Sequence, residues 1–388
     1  MIGNPPSARS VALDMVSGAL RRGRALDEEL PSLAQLDARD RAFARAIAAM
    51  ALRRLGQIDD LIARCVERAI PAKDSVVQDI LRIAVAQLVF LGTAAHAAVA
   101  TAVDLAAAQG KPRYTGLVNA VLRRLAREGA ALASGQDAER LNTPHEFWQG
   151  WVASYGEETA RAIAGAHLHE PPLDLWVKAD AEGWAQKLEA ALLPTGSLRR
   201  KAGGAIADLP GYAEGAWWVQ DAAAALPARL LGDVAGKAVV DLCAAPGGKT
   251  MQLAAAGARV AAVDISPKRL KRVAENLART GLKAELIEAD AAAWRPPSPV
   301  QRVLLDAPCT ATGTIRRHPD IPRLKKRSDV ARLAAAQYRM LANAASILAP
   351  GGMLVYAVCS LEPEEGPARI AALLKADPVL KRVPVLSS

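Results

Sequence analysis

The chain reads as an all-α segment, then a small mixed α+β subdomain, then an α/β domain on a doubly wound, mostly parallel sheet. Two observations predict this. Up to about residue 130, apolar residues recur at helical spacing without β-like alternation. From Ala235 onward, short apolar runs alternate with helical stretches, the strand–turn–helix rhythm of a parallel sheet with helices on both faces.

The helical segment shows four stripes. Val11, Met15, Val16 and Leu20 share one face, then Phe43, Ile47, Met50 and Leu55, then Val77, Ile80, Leu81, Val85 and Leu88, then Val118, Val121, Leu122 and Leu125. Pro71, Gly92 and the Gln109-Gly110-Lys111-Pro112 turn punctuate them. The span 1–130 is therefore expected to be one helical domain. Residues 131–141 lose large apolar side chains and read as a linker. In 142–215 the signals mix: a Trp148/Trp151/Tyr155 stripe fits either a helix core or a base-stacking platform, residues 173–180 alternate like a strand, and a helix is expected through Leu188 and Leu192. Within 216–388 the candidate strands are 237–242, 258–264, 284–289, 301–306 and 352–358.

Composition narrows the class. At 388 residues, 51% hydrophobic and 23% charged, the chain can form more than one core, and no apolar run reaches the roughly 18 residues a membrane span requires. The start, MIGNPPSARS, lacks a leader pattern, so a cytoplasmic protein is expected. Cys65, Cys243, Cys309 and Cys359 are far apart, and among the five histidines His167 and His169 are badly placed to share a ligand. Reduced thiols and no metal are expected. The formal charge of +9 fits either an arginine-rich proteome or a polyanionic partner. Its distribution favours the second: Arg316, Arg317, Arg323, Lys325, Lys326, Arg327 and Arg332 crowd a stretch with only Asp320 and Asp329 against them, which points to a nucleic-acid backbone.

The run DLCAAPGGKT, 241–250, ends like a nucleotide phosphate loop but has Cys243 where that loop requires its first glycine. A glycine turn between a strand and a helix remains. In a doubly wound sheet, ligands sit outside the carboxyl ends of the strands. Those ends carry Asp241, Asp264, Asp290, Asp306 with Cys309 just beyond it, and Cys359. Asp264 follows Asp241 at the spacing of a ribose-binding acid, and it equally suits a cap for the helix beginning at Pro267. A close-approach turn, a helix N-terminus for a carboxylate and an acid for a ribose together fit S-adenosylmethionine; NAD would call for a G-x-G-x-x-G turn, which is absent.

Two cysteines at this rim have a chemical use. Carbon 5 of cytosine is a poor nucleophile, and adding a thiolate at carbon 6 pushes electron density onto it. A carboxyl group at the ring edge eases that addition, and a base must then remove the carbon 5 proton. Cys359, Asp306 and Cys309 are candidates for the three tasks. Each cysteine taken singly could equally be a small buried apolar residue.

The run DAPCTATGTIRRHPDI, 306–321, with DLCAAPGGKT before it and LVYAVCSLEPEE after it, closely resembles the bacterial RsmB/Sun family of 16S ribosomal RNA (cytosine-5) methyltransferases. The helical segment, including GLVNAVLRRLARE, resembles that family's NusB-like RNA-binding domain. The resemblance implies a Rossmann-like class I methyltransferase fold after the NusB-like domain, with the subdomain 142–215 also binding RNA. It implies that Cys359 attacks carbon 6, that Cys309 assists product release, and that Asp306 meets pyrimidine and cofactor. The cofactor contacts it implies are Cys243, Ala244, Ala245, Pro246, Gly247, Gly248, Lys249, Asp264, Asp290 and Asp306. The phosphates of 16S ribosomal RNA would fall to Arg316, Arg317, Arg323, Lys325, Lys326 and Arg327. Two departures stand out: Val358 replaces a threonine hydroxyl, and the chain ends at KRVPVLSS before the family's final hairpin, from which an uncovered sheet edge and reduced stability are expected. The rival reading is a non-catalytic RNA-binding or antitermination-type factor with a vestigial second half.

Overall fold

The structure, a computed structural model, describes residues 6–28, 31–201 and 205–385. The last three residues of KRVPVLSS and the first five of the chain lie outside the described residues. Two compact units are present: Met1–Glu170 with Thr314–Arg327, and Pro171–Gly313 with Ser328–Ser388.

The first unit is helical: α1 Ala8–Arg21, α2 Pro31–Ala34, α3 Ala38–Arg53, α4 Leu55–Ala63, α5 Ser75–Val85, α6 Ala95–Ala108, α7 Thr115–Ser134, α8 Ala138–Asn142, α9 His145–Tyr155 and α10 Glu157–His167. Helix starts follow local chemistry, for the side chains of Ser7, Asp37 and Asp137 accept from the backbone N–H groups of Ser10, Asp40 and Arg140. The predicted stripes meet in one core: Val11, Ile47, Ile80, Leu81, Val121 and Leu122 are buried together. Trp148 and Trp151 are buried and Tyr155 is exposed, so the aromatic stripe of α9 serves mainly as core.

The expected linker 131–141 is instead largely helical, since α7 runs to Ser134 and α8 begins at Ala138. Alanine and leucine continue α7 without large side chains, and Asp137 caps the next helix. Gln136 also reaches back, its Nε2 donating to the Gln57 carbonyl at 3.0 Å.

His167 packs edge-on against Trp151, with ring centroids 5.5 Å apart. Burial, aided by the nearby Arg53 charge, pushes its pKa down to about 4. The unfolded chain, at about 6.5, then binds the proton more readily than the folded one. The neutral ring's contribution is therefore complete above pH 6.5 and lost as pH falls through 4, at most on the order of 3 kcal/mol. A His167→Gln variant should show a flatter loss of urea stability between pH 6.5 and 4 than the parent chain.

The second unit opens with β1 Leu173–Val177, α11 Ala181–Lys187, β2 Ala191–Leu192, β3 Leu198–Arg200 and β4 Trp217–Val219, which form an antiparallel sheet in the order β2-β3-β1-β4. The helix expected through Leu192 stops at Lys187, because Glu189 takes a positive φ and Ala191–Leu192 turns to pair with β3. This sheet extends past residue 215 to include β4. Then come α12 Ala222–Arg229, β5 Ala238–Leu242, α13 Gly248–Ala255, β6 Arg259–Asp264, α14 Pro267–Thr280, β7 Glu285–Glu288, β8 Val300–Asp306, α15 Ile321–Leu324, α16 Arg327–Ser346, β9 Leu348–Ala357 and α17 Pro367–Ala376. Strands β5 to β9 make a wholly parallel sheet in the order β7-β6-β5-β8-β9. Alternation along each strand feeds two faces. Val240, Leu242, Val303 and Leu305 pack with Met340, Leu341 and Leu373, whereas Val239, Val260 and Leu304 pack with Leu231 and Leu253. The chain winds outward from β5 to β7 and returns on the other side as β8, which opens a crevice at the carboxyl ends of β5 and β8.

The segment Thr314–Arg327, which contains α15, belongs to the first unit. Ile315 and Ile321 are buried, Arg53 Nη1 donates to the Arg316 carbonyl at 2.7 Å, and the Leu26 N–H donates to Asp320 Oδ2 at 2.9 Å. Within the basic run, two arginines are engaged by the protein itself. Burial lowers the pKa of Arg323, with Asp59 nearby, and Arg316 Nη2 donates to the Glu170 carbonyl at 2.9 Å. Apolar anchors interleaved with the arginines draw them into the packing.

Candidate active site

The turn after β5 is built from inside outward. Asp241 is fully buried, and Thr250 Oγ1 donates to its Oδ2 at 2.6 Å. Burial pushes this carboxyl up to about 7, against the opposing pull of the Thr250 hydrogen bond. Thr250, which in a phosphate loop would reach a metal, thus closes the strand onto its helix. Cys243 sits at φ 62, and its sulfur lies 3.7 Å from Met340 Sδ. Burial pushes its thiol up to about 12. Its side chain, part-buried, packs against the core of the sheet.

The rest of the turn is held by backbone bonds. Ala244 N–H donates to the Val263 carbonyl at 3.0 Å and Gly247 N–H to the Ala244 carbonyl at 2.8 Å. Gly247 has φ 101, and a Cβ there would lie 3.0 Å from Val273 Cγ1. A Cβ on Gly248 would stand 3.4 Å from Gln220 Cδ. Gln220 in turn accepts from Trp218 Nε1 at 2.7 Å. The antiparallel sheet therefore supplies a floor beneath the turn, and Trp218 packs with Ala245 and Met251.

Asp264 is 2% exposed. Its Oδ2 accepts from the Ala245 N–H at 3.2 Å and its Oδ1 from the Ser266 N–H at 3.0 Å, with Arg269 Nη1 at 3.4 Å. The helix cap is Ser266, not Asp264: the Ser266 hydroxyl accepts from Arg269 N–H at 3.3 Å. Asp264 instead ties the turn after β5 to the turn after β6. Beside it Ile265 is 66% exposed, an apolar surface at the rim that sequence reasoning passed over. Its only signal was an apolar residue directly after a strand-ending acid. Asp290 is exposed, and its Oδ1 accepts from Ala292 N–H at 2.9 Å.

At the end of β8, Asp306 Oδ2 is 2.6 Å from Lys249 Nζ, a pairing the sequence did not reveal. The Lys249 side chain is largely buried and that of Asp306 about one-third exposed. Beyond them, Cys309 Sγ and Cys359 Sγ are 3.4 Å apart. The pair is polarised. Cys359 is held below the ordinary thiol range chiefly because Cys309 donates its S–H to it; Lys249 helps, while burial and Asp306 oppose. That donation and burial raise Cys309. Of the two, Cys359 is the more acidic thiol. Gly313 brings the β8 loop against the β9 loop, its N–H donating to the Cys359 carbonyl at 2.9 Å, where a Cβ would be 2.9 Å from that oxygen.

The structure thus gathers Cys309, Cys359, Asp306 and Lys249 at one rim, with the turn Cys243–Gly248 and Asp264 beside them. Arg316, Arg317, Arg323, Lys325, Lys326 and Arg327 lie in the first unit. Among the described residues no helix is long and apolar enough to cross a membrane.

Residues 228–387 match the 16S rRNA methyltransferase RsmB/F family, and residues 6–127 match the NusB family. Ribosomal RNA small subunit methyltransferase B of Pseudomonas putida is 39% identical over 395 residues, which covers 97% of this chain and 90% of that protein. The crystal structure of PH0851 resembles 97% of the chain, and 92% of its own, with a TM-score of 0.76 at 24% identity. A methyltransferase homolog from Pyrococcus horikoshii resembles 61% of the chain, and 80% of its own, at 27% identity and a TM-score of 0.53. A helical NusB-type domain, a Rossmann-like sheet and similarity along nearly the full chain lead to one assignment: the chain belongs to the RsmB/F family of ribosomal RNA methyltransferases.

Proposed function

We propose that the protein transfers a methyl group from S-adenosylmethionine to carbon 5 of a cytidine in 16S ribosomal RNA, through a covalent adduct of Cys359 with carbon 6. The observation that carries this reading is the polarised thiol pair, 3.4 Å apart, beside the Lys249–Asp306 ion pair. The donor set around the turn also fits the cofactor. The backbone of Cys243–Gly248 and the N-terminus of α13 suit its carboxylate, the exposed Ile265 face suits its adenine, and Asp290 offers an exposed carboxylate to its polar groups. Asp264 keeps only residual accepting capacity for a ribose hydroxyl, since both oxygens already accept from backbone N–H groups.

When bound, S-adenosylmethionine would supply the methyl group and leave as S-adenosylhomocysteine. The Cys359 thiolate adds to carbon 6, and the ring's electron density moves to carbon 5, which takes the methyl group. Asp306, steadied by Lys249, meets the polar edge of the pyrimidine. With Cys359 alkylated, Cys309 no longer has a thiolate to donate to; its S–H proton passes to solvent, and the thiolate so formed takes the carbon 5 proton. Loss of the carbon 5 proton then expels Cys359 as thiolate and restores the aromatic ring. The target base must be unstacked for carbon 6 to be reached. Lys325 and Lys326, on the basic segment, would hold phosphates. A vestigial binding factor is not favoured, because the glycine turn and the thiol pair are both intact.

Mass-spectrometric mapping of 16S ribosomal RNA from cells with and without the gene tests the reading. The expected result is one or more 5-methylcytidines that vanish with the gene; an unchanged map would sink it.

A further inference from the structure

We infer that Glu365 is a positioning residue that clamps the loops carrying Cys309 and Cys359 and so sets the distance between the two sulfurs. Glu365 is fully buried, yet it lies in the loop between β9 and α17. Its carboxylate collects donors from three elements. From the β8 loop, Thr310 N–H donates to Oε1 at 3.0 Å and to Oε2 at 3.2 Å, and the Thr310 hydroxyl donates to Oε2. From the β9 loop, the Ser360 hydroxyl donates to Oε2. From α16, Gln337 Nε2 donates to Oε1 at 3.0 Å and also to the Pro308 carbonyl at 3.0 Å. Thr310 follows Cys309 directly and Ser360 follows Cys359 directly. One carboxylate thus grips the neighbour of each cysteine.

The site chemistry leaves little room for a substitute. Four donor groups converge on two oxygens, and only an ionised carboxylate presents acceptors on both sides with no hydrogen of its own. An amide would turn an NH₂ toward one set of these donors. The Thr310 and Ser360 hydroxyls, 3.0 Å apart, could turn to accommodate it, but the backbone N–H of Thr310 cannot. The hydroxyls of these two loops come from Thr310, Thr312 and Ser360, with Thr312 Oγ1 accepting from Leu361 N–H at 2.9 Å. Glu365 makes no hydrogen bond to either sulfur; it acts through loop geometry, and its charge adds to the raising of the Cys309 thiol, an effect that Thr310→Val leaves in place. A misplacement of about 1 Å between reacting groups can cost on the order of 100-fold in rate.

The catalytic consequence rests on the cytosine-5 reading; the thiol geometry does not, and two measurements separate them. The first is the pH profile of Cys359 alkylation by iodoacetamide, followed on the intact protein by mass spectrometry. The second is methyl transfer to 16S ribosomal RNA. In Glu365→Gln, and more weakly in Thr310→Val, which removes one hydroxyl donor and keeps the fold, the alkylation profile should move to higher pH as the Cys309 donation is lost. Methyl transfer should fall about 10- to 100-fold in kcat, with S-adenosylmethionine affinity by calorimetry little changed. If both folded variants keep the parental alkylation profile, the clamp is refuted. If the profile moves and methyl transfer does not, the clamp stands and Cys359 is not the nucleophile.

Discussion

Serine in place of Cys359 should abolish methyl transfer, with a loss on the order of 1,000-fold or more, while S-adenosylmethionine still binds. The reason lies in the thiol pair. Cys359 is held below the ordinary thiol range by the Cys309 S–H, so it presents a thiolate where a serine would present a neutral, far less acidic hydroxyl. Cofactor binding should survive because the turn Cys243–Gly248 is fixed by its own backbone bonds and by Asp264. The reciprocal variant, Cys309→Ser, keeps the proposed nucleophile and removes the neighbouring sulfur proposed as base. It should accumulate a covalent protein–RNA adduct that resists denaturing gel electrophoresis and needs both S-adenosylmethionine and RNA. Normal turnover by Cys359→Ser would overturn the assignment of the nucleophile.

Alanine in place of Gly247 should weaken S-adenosylmethionine binding at least about tenfold and lower the melting temperature by a few degrees. Gly247 opens α13 at φ 101, where an L side chain is strained by about 1–3 kcal/mol, and the new Cβ would press on Val273 at 3.0 Å. Because the turn cannot keep its path, the backbone N–H groups facing the ligand shift with it. Gly232→Ala is the control: it too has a positive φ, 70°, but a Cβ there meets nothing within 4 Å. The control should lose some stability and keep cofactor affinity. Calorimetric titration of both variants decides; equal affinities would show that the turn does not hold the cofactor.

Much of the fold could be read in the chain because its causes are local. Helical stripes such as Val77, Ile80 and Leu81 became core, and the five strands of the parallel sheet lie within a few residues of their expected spans. Local composition misled at 131–141, where small apolar residues and Asp137 continued and restarted helices, and at Leu192, where pairing with β3 overrode helical spacing. The carboxyl-end rule alone places Asp306, Cys309 and Cys359 at one rim. It could not show which sulfur carries the charge.

The sequence by itself determined the family-defining motifs, the strand ends that carry them and the failure of DLCAAPGGKT as a phosphate loop, because each depends on residue type at short spacing. Only the tertiary structure decided how these residues are used. It spent Thr250 on Asp241, paired Lys249 with Asp306, committed Asp264 to two backbone N–H groups, drew Arg323 partly into the packing and closed Glu365 around both cysteine loops. Hydrogen bonds between residues up to 57 positions apart carry no periodicity in the chain; they exist once the sheet has brought the strand ends together.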